Sequence, residues 1–131
     1  MISKFRNNEY TGQMKAQSED TYADSLRRFK ADVFQVLAHP TRIHIAECLR
    51  DGELPVSVLL EKIGVEPANL SQHLTVLRSK QLVLNRKEGN QVFYRLRDPM
   101  LSEVLDSMKR YFHAHLEEAM AMLRGMGDEP R

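Results

Sequence analysis

From Ser18 to about Leu37 the apolar residues Leu26, Phe29, Val33, Val36 and Leu37 recur every three or four positions. That spacing puts them on one face of a helix, and Ser18-Glu19-Asp20 offers a polar start. His39-Pro40 interrupts the pattern, because the residue before a proline is pushed out of the helical region while proline suits the first position of a following helix. A second helix is expected from Thr41 to Arg50, burying Ile43, Ala46 and Leu49 and stopping at Asp51-Gly52, where glycine takes a left-handed cap. Pro55 opens a short third helix, Val56 to Ile63, closed by Gly64. Glu66-Pro67 opens a fourth, from Ala68 to about Lys80, with Leu70, Leu74 and Leu77 on one stripe and polar residues between them.

The period then shortens. Leu82 to Lys87 and Gln91 to Arg97 are two runs rich in Val, Leu, Phe and Tyr, joined through Glu88-Gly89-Asn90, whose composition suits a tight hairpin turn. Helical spacing returns at Asp98-Pro99 and lasts to about Arg124. The predicted order is four helices, a hairpin and a long last helix: a mainly α chain with a small β-hairpin, in the α+β class. The boundaries expected are a polar N-terminal extension over residues 1–20, a folded domain over 21–124 and a polar tail over 125–131. Phe5 and Tyr10 in the extension either dock on the folded part or belong to a disordered arm.

At 131 residues the chain is one domain, large enough to fold without a metal or disulfide staple. Its single cysteine, Cys48, closes no internal disulfide and forms no CxxC pair, which fits a reducing cytoplasm. No signal-like apolar run begins the chain, and no stretch approaches the ~20 apolar residues of a membrane span. A soluble, cytoplasmic protein is expected. The net charge of +1 looks uninformative, but residues 66–97 carry six cations against two anions and residues 98–131 four against seven. One basic segment within a neutral whole suggests a face for an anionic partner.

That segment is where the chemistry lies. Two short helices joined through Gly64-Val65-Glu66-Pro67 make a helix-turn-helix, and the hairpin after it is a wing. An α-helix fits the DNA major groove, and Asn and Gln side chains pair bidentately with adenine. In the fourth helix Ala68, Asn69, Ser71, Gln72 and Thr75 lie off the leucine stripe, small or amide-bearing where a merely solvated face would be Glu- and Lys-rich. Arg78, Lys80, Arg86 and Lys87, with Asn90 and Gln91 at the wing tip, are placed to meet the phosphate backbone. Double-stranded DNA is the expected partner.

Residues 37–96 resemble the ArsR/SmtB family of winged-helix repressors: HPTRI at the start of the second helix, GEL before the third, LSQHLTVLR in the fourth and RKEGNQVFYRL in the wing. The resemblance implies a homodimer, joined through its first and last helices, that binds an inverted repeat in a promoter and releases it when an effector binds. Two departures stand out. Gln81 occupies the position after the recognition helix where the family usually has glycine, so a left-handed cap there costs roughly 1 kcal/mol more unless the helix ends differently. The family's thiolate pair on the third helix falls on Pro55 and Ser57, neither of which ligates a soft metal.

The family's other metal site, on the last helix, is matched only by its second half, His115-Leu116-Glu117-Glu118, while the first half falls on Ser102 and Val104. No metal and no other cofactor is therefore expected. Leu105, Met108, Phe112, His115, Ala119, Met122 and Met126 alternate three and four apart, the seam of two packed helices. Together with Leu26, Phe29 and Val33 of the first helix they form the expected dimer interface. His115 either fixes register in that seam or, with His113 and Glu117 or Glu118, senses protons or an effector. Cys48 is read as a small core residue, with oxidation as its functional alternative. His39, His44 and His73 are read as capping, exposed and packing residues.

The leading expectation is a DNA-binding transcriptional regulator, most often a repressor, whose effector is not a thiolate-bound metal. The alternatives are a winged-helix protein-interaction module, or a ligand-, redox- or pH-responsive regulator without metal. An enzyme is not expected, since the chain has no phosphate-cradling glycine loop, no triad-like arrangement and no paired acids in an apolar setting.

Overall fold

A computed structural model describes the backbone of residues 2–127 and the side chains of residues 18–126. The chain divides into two units, residues 1–38 and 39–131. The first is a single helix, α1 (Ile2–Leu37). It begins sixteen residues before the expected start at Ser18, so the extension is helical backbone rather than a loop. Periodicity missed this because residues 2–17 present no sustained apolar stripe. The side chains of Phe5 and Tyr10 lie outside the described residues. Further along α1, Tyr22, Leu26, Phe29 and Phe34 are exposed, Val33 is half-buried, and Val36 and Leu37 are buried.

The second unit holds α2 (Pro40–Cys48), α3 (Val56–Ile63), α4 (Pro67–Ser79) and α5 (Met100–Gly127), with strands β1 (Leu54–Pro55), β2 (Val83–Glu88) and β3 (Gln91–Leu96). His39 has extended backbone and caps α2, its Nδ1 accepting from the Thr41 N–H at 3.1 Å, with Pro40 in the first turn where no N–H is needed. The buried residues of α2 are Ile45 and Ala46, with Leu49 just beyond; Ile43, expected inside, is half-buried. α2 ends at Cys48 with Leu49 as its cap, and Gly52, at φ +139°, does not adopt the left-handed helical cap expected of it. Gly64 does take that role for α3, at φ +74°, its N–H reaching the Leu60 carbonyl.

Leu59 of α3, Leu70, Leu74 and Leu77 of α4, Ile45 and Leu49 of α2 and Val83 of β2 are almost wholly buried and form the core. The leucine stripe of α4 is thereby committed inward, which leaves its opposite face to solvent. The sheet is antiparallel in the order β1-β3-β2, with Val83 opposite Leu96 and Glu88 opposite Gln91. Val83, Tyr94 and Leu96 are buried on its inner face. β1 was not expected: two residues are too few to show a period, and they become a strand only by pairing Leu54 with Tyr94 and Pro55 with Phe93. Gly89, at φ +60°, with no positive φ at Asn90, makes the tight turn of the hairpin.

Asp98 starts α5 by accepting from the Met100 N–H at 2.9 Å. The helix runs through Arg124 to Gly127; of the expected polar tail, residues 128–131 lie outside the described residues. No helix among the described residues is long and apolar enough to cross a membrane.

Candidate nucleic-acid interface

Because Leu70, Leu74 and Leu77 fix the roll of α4, the side chains of Ala68, Asn69, Ser71, Gln72 and Thr75 all fall on its exposed side. They lie within about the first two and a half turns of the helix, where a recognition helix meets base edges. Thr75 Oγ1 donates to the Ser71 carbonyl at 2.8 Å and Ser79 Oγ to the Val76 carbonyl at 2.6 Å, leaving the amides of Asn69 and Gln72 as the longer polar groups of this face.

The C-terminus of α4 is set by Gln81, the one non-glycine residue at positive φ (56°) among those described. Its N–H donates to the Arg78 carbonyl at 2.9 Å, and the Leu82 N–H donates to the Leu77 carbonyl at 3.0 Å. This pair of bonds is the Schellman ending that usually employs glycine. The expected departure is thus accommodated without changing how the helix ends. Arg97 on the far side of the hairpin donates to Gln81 Oε1 at 2.6 Å, so the strained residue also ties the helix end to the wing root.

Arg78, Lys80, Arg86, Lys87, Asn90 and Gln91 are all exposed. They are not equivalent. Arg86 is held by carboxylates: its Nε and Nη2 donate to Glu53 at 2.9 and 2.6 Å, and its Nη1 donates to Glu88 at 2.6 Å. Its guanidinium carbon lies 4.6 Å from the centroid of the Phe93 ring. Glu53, whose carboxyl the Arg86 hydrogen bond holds below the usual carboxylate range, was not among the expected site residues, nor was Arg95, which lines the same 510 Å³ cleft with Glu53, Arg78 and Gln81. Strand alternation alone places Arg95 beside Arg86 on one sheet face, but Glu53 lies 33 residues away and no local period announces it.

Most of the expected interface residues on α5 are exposed. On α5, Met108 and Phe112 are exposed, Leu105 and Ala119 half-buried, and Met122 is 71 % exposed. Leu116, Met120 and Leu123 add an adjacent exposed row that the single seam did not include. A band this wide is more than scattered surface apolar residues require. Among the possible sensors, His115 is exposed and stacks on Tyr111 with ring centroids 6.3 Å apart, and His113 meets Phe112 edge-on at 5.8 Å. Glu118 is exposed on the same helix. No cluster of three or more metal-ligating side chains is found among the described residues of one chain. Cys48 is half-buried, and burial pushes its thiol up from the ordinary range, which reduces the reactive thiolate. His39 caps α2 as expected, His44 is exposed, and half-buried His73 packs on the His39 ring at a centroid distance of 4.3 Å.

Comparison with known proteins agrees with this geometry. Residues 37–84 match a helix-turn-helix domain family. The HTH-type transcriptional regulator Rv0081 of Mycobacterium tuberculosis is 35% identical over 105 residues, covering 79% of this chain and 92% of the relative. The biofilm growth-associated repressor of Xylella fastidiosa is 33% identical over 89 residues, covering 68% of this chain and 78% of the repressor. Among solved structures, Rv0081 superposes with a TM-score of 0.66 at 36% identity, covering 72% of this chain and 96% of that one. The homodimeric winged helix-turn-helix DNA-binding domain of Mb0332 from Mycobacterium bovis gives 0.65 at 27% identity, covering 73% and 89%. The recognition helix, the wing and these relatives together place the chain in the ArsR/SmtB family of winged helix-turn-helix transcriptional regulators, which bind DNA.

Proposed function

We propose that the protein acts in the cytoplasm as a homodimeric repressor that holds an inverted repeat in a promoter and is released by an effector. The observation that carries this reading is the exposed amide and hydroxyl face of α4, turned outward by three buried leucines and flanked by the basic wing. In the complex, Asn69 and Gln72 read base edges, Ala68, Ser71 and Thr75 allow close approach, and Arg78, Lys80, Lys87, Asn90 and Gln91 meet the backbone. The homodimeric state of Mb0332 supports pairing of two copies. The bands on α1 (Leu26, Phe29, Val33) and α5 (Leu105, Met108, Phe112, His115, Ala119, Met122) are the surfaces that would be buried.

The effector is of a kind other than a thiolate-bound metal, since Pro55 and Ser57 stand where that site's cysteines would be. His113, His115 and Glu118, at the exposed seam of α5, are the residues through which a proton or small ligand would act. A mobility shift on the DNA upstream of the protein's own gene, repeated with metals, oxidants and small ligands, tests both parts. Retarded DNA that a scrambled sequence does not compete away supports the reading. Absence of any shift at low salt favours a protein-interaction module instead.

A further inference from the structure

Resting on the reading that α4 and the wing grip DNA, we infer that Arg86 is a strut rather than a phosphate contact, and that Glu53 is the residue that positions it. The sequence presents Arg86-Lys87 as one basic pair, but strand alternation sends the two side chains to opposite faces of the hairpin. On its face every nitrogen of the Arg86 guanidinium is engaged by a carboxylate: Nε donates to both carboxylate oxygens of Glu53, Nη2 to Glu53 Oε1 and Nη1 to Glu88 Oε2. Two carboxylates flank the one guanidinium, so its charge is already matched within the sheet, and a phosphate would compete with bound carboxylates for it.

The route of the contact shows what it fixes. Arg86 stands on β2 and lies over Phe93, its direct partner on β3. It ends on Glu53, the residue before β1, which leads straight into α3. One side chain therefore crosses the whole sheet and ties the wing to the first helix of the helix-turn-helix. The planar fork and the aromatic contact suit arginine and not lysine. A wing held at a set angle to α4 presents Lys87, Asn90 and Gln91 together with the amides of Asn69 and Gln72, whereas a loose wing must be ordered at the moment of binding.

The test is a fluorescence anisotropy titration of the full-length protein with its operator DNA across a salt series, on variants whose thermal melts and circular dichroism are compared first. A phosphate contact and a strut predict opposite signs for Glu53→Ala. Freeing a phosphate-binding Arg86 would tighten binding, whereas removing the strut's anchor weakens it, by roughly three- to tenfold. Arg86→Ala is expected to weaken binding to the same degree with an unchanged salt slope, while Lys87→Ala lowers that slope by about one. The double variant Glu53→Ala/Arg86→Ala should be no worse than either single one. Tighter binding by Glu53→Ala, or a flattened salt slope in Arg86→Ala, overturns the inference. If the wild-type protein binds no DNA, the reading of the site has failed, and the strut is then judged by amide hydrogen exchange of β2 and β3. Faster exchange in both single variants upholds it, and unchanged exchange overturns it.

Discussion

Gln81 holds a left-handed backbone conformation at φ 56° while its side-chain oxygen accepts a 2.6 Å hydrogen bond from Arg97. The backbone strain and the side-chain bond oppose each other. A residue with a Cβ in this region costs about 1 kcal/mol relative to glycine, and an exposed hydrogen bond returns only part of that. Gln81→Gly should therefore be neutral or stabilising by up to about 1 kcal/mol in urea unfolding, and Gln81→Val, β-branched and without the bond, should be destabilising. A clear loss of stability in Gln81→Gly would mean that the Arg97 bond outweighs the strain.

The His39–His73 contact makes stability depend on pH in a stated direction. Burial, then the nearby charges of His39 and Arg42, lower the His73 pKa below its ordinary 6.5. The unfolded chain then binds a proton before the folded one does, so stability is full above about pH 6.5 and falls as the pH drops below it. Chemical denaturation between pH 5 and 8 should show this slope, and His73→Gln should flatten it; a slope identical to wild type would refute the assignment.

Arg50, in the turn just after α2, donates through both Nη1 and Nη2 to the carboxylate of Asp106 on α5, each at 2.5 Å. That bond holds the Asp106 carboxyl below its ordinary 3.8, so its contribution is present at neutral pH and lost only as the pH falls through that lowered value. The pair is solvent-accessible, so its contribution is modest and screened by salt. A double-mutant cycle of Arg50→Ala and Asp106→Ala, read as melting temperature, should show coupling at low salt that shrinks at high salt. Additive losses at every salt concentration would show that the contact does not hold the helices.

Cys48 is expected to be a packing residue, because burial raises its thiol pKa and starves it of thiolate. Cys48→Ser should leave operator affinity and the response to peroxide unchanged. Release of DNA by peroxide in wild type, abolished by the substitution, would instead make it the sensor.

The leucine stripe of α4, the hairpin and the break at His39-Pro40 were legible because each is a local period or a backbone constraint. The exposed amide face followed from the same stripe. The helical backbone before Ser18 was not legible, since a helix without an apolar face leaves no period. Nor was β1, which owes its existence to pairing with β3, or the tie between Glu53 and Arg86, which joins residues 33 apart in the chain. The second apolar row on α5, at Leu116, Met120 and Leu123, was hidden because a strict three-four count follows one seam at a time.

The central claim is that the exposed face of α4 reads DNA sequence. It is tested most directly by the affinity of wild type and Gln72→Ala for the operator and for a scrambled duplex of equal length at one fixed salt concentration. The account predicts that wild type prefers the operator by at least about a thousandfold. It also predicts that Gln72→Ala loses about 1–3 kcal/mol on the operator while its affinity for the scrambled duplex is unchanged. Equal losses on both duplexes, or no preference in wild type, would contradict it.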